Sequence, residues 1–137
     1  QTIHAVMAAD HPLAAQEVIR LRDCSSFPIA LPTAQYGVRH LIDLALLKSS
    51  VTLQVALDAD QFEFLRRYPM QEHMISFQIP IGLPPDAQGD GAVSRPIDIR
   101  DVPEGRLYLC QLRGRTLPVA SAKFAAQLGK ALDARYD

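Results

Sequence analysis

The chain has 137 residues, of which 48% are hydrophobic and 21% are charged. This length suits one compact domain with a core of its own, and the apolar fraction excludes an intrinsically disordered chain. The 14 basic and 15 acidic side chains leave a formal net charge of -1, so we do not expect this stretch to bind DNA or RNA on its own.

The beginning of the chain and its cysteines indicate where the protein works. Gln1 is not an initiator residue and no charged leader follows it, so we expect a piece of a longer chain with no signal peptide. No apolar run is long enough to predict a membrane span. Cys24 and Cys110 are expected to be small buried apolar residues; a disulfide between them stays open, but a reducing compartment fits better.

Strand-like and helix-like stretches alternate along the chain, which predicts an α/β fold with a largely parallel sheet. Asp58 and Gln61 form a capping-box-like pair, with which the second helix is expected to begin. The segment 82–91, rich in Pro, Gly and Asp, is predicted to be a mobile loop. In chain order, apolar patterning predicts strands at 2–8, 27–31, 53–57, 75–81, 93–99 and 106–112, and helices at 35–48, at 59–70 and from near Pro118.

The predicted helix 35–48 carries more apolar residues than one core face requires. Leu44 and Leu47 lie away from that face. They mark either a surface that binds a partner or a helix that is covered on both sides, and the pattern does not decide between these. The core face itself consists of Val38, Leu41, Ile42 and Ala45, at helical spacing.

The chain carries no recognisable catalytic constellation. None of the four histidines is spaced as a metal ligand pair, so each is expected to be structural or exposed. Nothing nominates a nucleophile with its base, and no phosphate loop or dinucleotide fingerprint occurs. We therefore predict that the protein is not an enzyme and has no catalytic residues, no metal site and no cofactor.

One segment predicts ligand binding, because a buried strand ends there and a helix begins. Ligands of open α/β sheets lie beyond the carboxyl ends of strands, and the first amides of a helix attract anions. Thr33, Ala34, Gln35 and Tyr36 occupy this turn and offer a hydroxyl, an amide and a phenol. The alternative is that Thr33 only caps the helix and the other side chains face water.

The order of several short motifs resembles the effector-binding domain of LysR-type transcriptional regulators, across nearly the whole chain. The most recognisable parts are the strand exit His11-Pro12-Leu13-Ala14 and the helix entry Arg115-Thr116-Leu117-Pro118-Val119-Ala120. Between them lie Ile29 to Pro32, the turn Thr33 to Arg39, and Ser76-Phe77-Gln78-Ile79-Pro80.

This resemblance implies a fold like that of type II periplasmic binding proteins, with two lobes. Residues 12–107 would form a second, Rossmann-like lobe. Residues 1–11 and 108–137 would be strands and the C-terminal helix of the first lobe. The N-terminal winged helix-turn-helix of such regulators would be absent from this chain, so that DNA is bound only through that missing domain.

The resemblance also implies an effector site, a mode of assembly and a location. A small metabolite, often an organic anion, would bind between the lobes and contact Thr33 to Tyr36, with His73 and Met74 where the family has a glycine-containing strand start. Leu44 and Leu47 would lie in a homodimer or homotetramer interface. A cytoplasmic transcriptional regulator is the resulting expectation; a periplasmic-type solute-binding protein for a small anion is the alternative, and an enzyme with this fold comes third.

Overall fold

The computed structural model describes residues 1–83 and 91–136, so most of the predicted loop 82–91 lies outside the described residues. Thr2–Gly105 form a large compact unit, while Gln1 and the residues from Arg106 onward form a smaller one. The large unit contains β1 His4–Ala8, β2 Pro28–Pro32, α1 Gly37–Leu47, β3 Gln54–Ala59, α2 Phe62–Arg67, β4 Ile75–Gln78 and β5 Ala92–Pro96, and the small unit contains α3 Val119–Tyr136.

The five strands form one sheet in the order β3-β2-β4-β1-β5. β2 is parallel to both β3 and β4, whereas β1 is antiparallel to β4 and β5. The predicted α/β fold is confirmed, but the sheet is mixed rather than largely parallel. β1 belongs to this sheet, so residues 2–11 lie within the large unit.

The helices α1 and α2 pack on opposite faces of the sheet. Alternate residues of β2 point to opposite faces, so Ile29 packs in the core cluster of α1 and Ala30 in the smaller cluster with Leu65 of α2. From β2 the chain runs through α1 to β3 on one side, and it then returns through α2 to β4 on the other side. The carboxyl end of β2 therefore lies at the point where the winding of the sheet reverses, which is where ligands bind in open α/β sheets.

The predicted core face of α1 is confirmed. Val38, Ile42 and Ala45 are buried, and Leu41 packs against them as a partly buried side chain. The strand exit after β1 has a structural histidine. The Nδ1 atom of His11 accepts a hydrogen bond of 3.1 Å from the backbone N–H of Leu13, and burial lowers the pKa of this imidazole.

Several boundaries differ from the sequence prediction for local reasons. β4 ends at Gln78, because Pro80 begins a short 3-10 helix that extends to Gly82. Asp58 is the fifth residue of β3 rather than a helix cap, and α2 begins after Gln61 without a side-chain cap. The predicted helix 59–70 is thus shorter and is followed by the 3-10 helix Tyr68–Gln71.

The prediction of a strand at 106–112 is wrong in this chain. These residues form no strand in the described part of the small unit, and their side chains are exposed. An alternating apolar stretch needs a neighbouring strand to satisfy its backbone hydrogen bonds, and the described residues of the small unit provide none. The expectation for Cys110 is also wrong, because this cysteine is exposed, whereas Cys24 is buried; both are free thiols.

Across the two described ranges, no helix combines the length and the apolar character that crossing a bilayer requires.

Candidate functional site

The candidate site is the turn between β2 and α1, residues 33–37, which we call the β2–α1 mouth. The backbone N–H of Thr33 donates a hydrogen bond of 3.1 Å to the carbonyl of Ala59, so the ends of β2 and β3 are joined there. The N–H of Tyr36 donates back to the carbonyl of Thr33 at 3.1 Å and closes the turn. Ala34 and Gln35 are exposed at its tip, as a ligand-binding turn requires.

The first turn of α1 has unpaired amides that face open space. Tyr36 is the N-cap residue, and no side chain accepts a hydrogen bond from the first amides of the helix there. A methyl group added to Gly37 would meet no heavy atom within 4 Å, so the backbone at this point is accessible. These amides carry partial positive charge and favour an anion.

The hydroxyl of Thr33 has no hydrogen-bond partner among residues 1–83 and 91–136, although its oxygen is buried. A buried polar atom without a partner costs about 1–3 kcal/mol of stability, so such an atom calls for an explanation. The alternative in which Thr33 caps the helix does not hold, because Tyr36 occupies the cap position. A bound ligand atom would supply the missing partner once the Thr33 side chain rotates about χ1, because the oxygen has no accessible surface in this conformation.

The phenol of Tyr36 is fixed by its neighbours. Its hydroxyl donates a hydrogen bond of 2.9 Å to the carbonyl of Asp60. Its ring meets that of Phe62 edge-on, with the centroids 4.8 Å apart. Tyr36 therefore joins the mouth to the loop after β3. Because its O–H already donates a hydrogen bond to Asp60, the phenol oxygen can only accept a hydrogen bond from a ligand.

Arg39, which the sequence did not single out, connects three elements beneath the mouth. Its Nη1 atom donates to the carbonyl of Pro32 at 3.1 Å and to Oδ1 of Asp58 at 2.7 Å. Its Nε atom donates to Asp43 at 3.0 Å. The end of β2, the end of β3 and α1 are thereby held together by one guanidinium, whose donors match carboxylate and carbonyl oxygens.

β4 contributes buried polar side chains on the face of the sheet that α2 covers. Gln78 is almost completely buried, and its Nε2 atom donates a hydrogen bond of 3.1 Å to the carbonyl of Phe62. Ser76, two residues earlier on the same face, has a buried hydroxyl for which the described residues offer no hydrogen-bond partner. The sequence reasoning missed this position, although two polar residues on one face of an otherwise apolar strand were the signal that could have identified it.

His73 and Met74 are not part of the mouth. Ile75 pairs with Ile29 at the start of β2, and Thr33 follows Ile29 by four residues. The start of β4 and the β2–α1 mouth are therefore about 13 Å apart along the strand direction. The six predicted ligand residues thus divide into two groups, at opposite ends of the parallel strands.

The backbone at His73 has a conformation that favours glycine. His73 adopts φ 51°, in the left-handed region that favours glycine, and its side chain is exposed. Met74 is only 4% exposed and packs with Ala30 and Leu65. Met74 therefore serves the core in this arrangement.

The two predicted interface residues both lie on the exposed side of α1. Leu44 is 40% exposed and Leu47 is 82% exposed. Val55 of β3, the strand at this edge of the sheet, is 44% exposed. A large apolar side chain as exposed as Leu47 is consistent with a partner surface rather than with a helix covered on both sides.

Comparison with known proteins identifies relatives of this fold. A family model described as the LysR substrate binding domain matches residues 1–133. Curated proteins gave no significant match to the sequence.

Three solved structures are similar to this chain in fold. The CcmR regulatory domain of Synechocystis PCC6803, in complex with 2-PG, is 20% identical with a TM-score of 0.77, over 95% of this chain and 62% of that one. HinK of Pseudomonas aeruginosa, a LysR family transcriptional regulator, is 19% identical with a TM-score of 0.71, over 96% and 45%. The effector binding domain of QuiR, in complex with shikimate, is 21% identical with a TM-score of 0.67, over 96% and 62%. These similarities confirm the fold of the periplasmic-binding-protein type, and this chain spans less than two thirds of each relative.

Proposed function

Because this chain belongs to the LysR substrate binding domain family, we propose that it senses a small organic anion for a transcriptional regulator. The β2–α1 mouth is the part of this chain that contacts the effector. The observation that carries the proposal is the buried hydroxyl of Thr33, which lacks a hydrogen-bond partner in the described part of the chain and lies before a helix without a side-chain cap.

The chemistry of the mouth favours an anion that also carries hydroxyl groups. Unpaired amides of the first turn of α1 provide donors, and Thr33 and Gln35 add a hydroxyl and an amide. The carboxylate of Asp58 shares the positive charge of Arg39 with Asp43, at 2.7 Å and 3.0 Å, so it repels an incoming anion less than a carboxylate without an arginine would. Shikimate, held by the QuiR domain, is a hydroxylated carboxylate, and the CcmR domain holds 2-PG.

The regulatory step follows from differential binding. A ligand that prefers one arrangement of the sensor shifts the population toward that arrangement by the ratio of its two affinities. We infer that the full-length protein is a cytoplasmic homodimer or homotetramer. In that protein an N-terminal winged helix-turn-helix binds the DNA, and the change in the arrangement of the sensor alters this binding.

A screen of small organic acids tests the proposal. Shikimate and other hydroxylated or phosphorylated acids are added to the whole protein, and the melting temperature is recorded. A binder at 100 times its dissociation constant stabilises the folded state by about 2.7 kcal/mol. Amide chemical shifts at Ala34, Gln35 and Gly37 then report whether a binder occupies the mouth; binders that leave these amides unchanged contradict the proposal.

Replacing Thr33 with valine is expected to weaken effector binding about tenfold without loss of stability. Valine has nearly the same shape but lacks the hydroxyl, so the ligand loses a hydrogen bond worth about 1.4 kcal/mol. The unpaired buried oxygen disappears at the same time, so the free energy of unfolding is expected to stay level or rise. Isothermal titration and urea unfolding measure the two effects.

Thr52→Val is the matched control, because Thr52 is exposed and precedes β3. It should change neither quantity. A Thr33→Val protein that is less stable but binds the acid with unchanged affinity would mean that the hydroxyl serves the fold and not the ligand.

A second copy of the chain is the partner that we propose for the exposed side of α1. Leu44 and Leu47 provide the apolar contact there, and β3 continues this surface along the edge of the sheet. The interface would then bury side chains that no element of the described chain covers. This proposal depends on the dimerisation of sensor domains that the family resemblance implies.

Replacing Leu47 with aspartate is expected to shift the protein toward monomer at a given concentration. The new carboxylate must be desolvated in the interface, which raises the free energy of the dimer. In the monomer the same side chain faces water, so the monomer is not destabilised. Sedimentation velocity over a concentration series measures the shift. Val18→Asp is the control, because Val18 is 49% exposed and lies outside α1; a Leu47→Asp profile that matches the control contradicts the interface.

A further inference from the structure

The large unit contains a pocket of about 440 Å³ at the C-terminal end of α1. Its apolar wall is formed by Leu41, Leu44 and Ala45 of α1, by Val51, and by Ile99 and Pro103 from the segment after β5. This volume falls within the range of about 300–1,000 Å³ that small-molecule sites have. Another hollow, of about 250 Å³ beside Met74, falls below that range.

The charges around the pocket leave one cation without a partner. Asp101 lines the pocket but holds Arg20 at 2.7 Å, and Arg100 lines it but holds Asp98 at 2.6 Å. Lys48, the C-cap residue of α1, is the third charged residue of the lining. In the described part of the chain its ammonium pairs with no carboxylate.

An apolar wall with one unpaired ammonium selects a particular class of ligand. The wall favours a compact hydrocarbon body, since removing apolar area from water lowers the free energy of the complex. The ammonium favours a ligand with a single carboxylate at the rim, because a charge-assisted hydrogen bond is stronger than a neutral one. A dianion gains little there, because the other two charges of the rim are already neutralised.

We propose that this pocket is a second ligand site, which binds a small hydrophobic monocarboxylate with its body against Leu44 and Ile99 and its carboxylate on Lys48. The site is separate from the β2–α1 mouth, because the two lie at opposite ends of the 11-residue helix α1. An α-helix of that length spans about 16 Å. A ligand here also contacts Leu44, so it occupies part of the surface proposed for the second copy.

Benzoate is the probe that tests the site, with benzyl alcohol as its neutral analogue. The whole protein is titrated with benzoate to about 20 mM and followed by amide chemical shifts. Saturable shifts are expected at Ala45, Ser49 and Ile99, with a dissociation constant on the order of 1 mM, as suits a ligand of this size. Lys48→Gln is expected to weaken benzoate about tenfold and to leave benzyl alcohol unchanged.

Two further variants keep the test decisive. Ile99→Trp fills the pocket from a side chain that is 61% exposed, so it is expected to abolish the shifts without unfolding the protein. Lys130→Gln, on α3, is the charge control and should bind benzoate normally. The proposal is overturned if benzoate gives no saturable shift at these amides, or if Lys48→Gln leaves its affinity unchanged. It is also overturned if benzoate shifts only Gln35 and Gly37 and is weakened by Thr33→Val, whereas failure of effector binding at the mouth leaves it untouched.

Discussion

Replacing Asp101 with alanine is expected to lower the free energy of unfolding by about 3 kcal/mol. The carboxylate accepts two hydrogen bonds of 2.7 Å from the guanidinium of Arg20 and one of 2.8 Å from the N–H of Leu21. The Asp101 side chain is 17% exposed, so most of this network is shielded from water. Truncation leaves an unpaired guanidinium and an unpaired backbone N–H, and it releases the segment after β5. Urea unfolding of both proteins measures the difference.

Glu63→Ala is the matched control for this prediction. Glu63 also holds an arginine at 2.7 Å, but its side chain is 62% exposed. Exposed pairs contribute about 0–1 kcal/mol, because water screens the attraction and the side chains lose entropy. If Asp101→Ala costs no more than Glu63→Ala, the buried network does not stabilise the fold as argued.

The cost of Asp101→Ala is also expected to depend on pH. The hydrogen bond from Arg20 lowers the pKa of Asp101 below its ordinary value, so the folded state favours the ionised carboxylate. The contribution is fully present above the unfolded pKa of about 3.9 and is lost as the pH falls through the folded pKa. The difference between the two proteins should be constant near neutral pH and should shrink below about pH 4. A difference that grows on acidification would contradict this assignment.

The parts of the fold that the sequence predicted are those determined by local patterns. The core face of α1 follows from the spacing of Val38, Ile42 and Ala45, which any helix would bring together. The β2–α1 mouth was also found, since a strand, a turn and a helix follow one another directly in the chain. In both cases residues that are near in sequence determine the structure.

The errors arose where distant residues decide the outcome. Asp58 has the local pattern of a helix cap, but Arg39, 19 residues earlier in the chain, binds its carboxylate at 2.7 Å. Residues 106–112 have the pattern of a strand, but a strand forms only where another strand accepts its hydrogen bonds. Gln78 was missed as a candidate because its partner, the carbonyl of Phe62, lies 16 residues earlier in the chain, at the start of α2.

The distance of His73 and Met74 from the mouth also depends on residues far apart in the chain, and their role in ligand binding stays a prediction. The family correspondence locates them along the chain, but it does not say which end of β4 faces the ligand. The register of β4 with β2 decides this, and it aligns Ile75 with Ile29 at the amino ends of both strands. Positive φ at His73 favours glycine at this position by backbone conformation alone.

Replacing Arg39 with methionine is expected to lower the free energy of unfolding by about 2 kcal/mol and to weaken effector binding at least tenfold. Methionine keeps the apolar stem but removes every donor. The carbonyl of Pro32 then loses its partner, and Asp58 and Asp43 become unpaired carboxylates. Since Pro32 directly precedes the mouth, its release lets the amides of the first turn of α1 move away from the geometry that an anion requires. Urea unfolding and isothermal titration with the acid identified in the screen measure both effects.

The two readouts separate a positioning role from a purely structural one. Arg22→Met is the control, because the Arg22 side chain is 70% exposed and its closest carboxylate contact is 3.9 Å away; it should change neither stability nor affinity by a measurable amount. Arg39→Lys restores the charge but cannot reach three acceptors at once, so we expect it to recover part of the stability and little of the affinity. If Arg39→Met loses stability but binds the acid as tightly as the wild type, Arg39 stabilises the sheet without orienting the mouth, and the unpaired charges of Asp58 and Asp43 do not disturb the ligand.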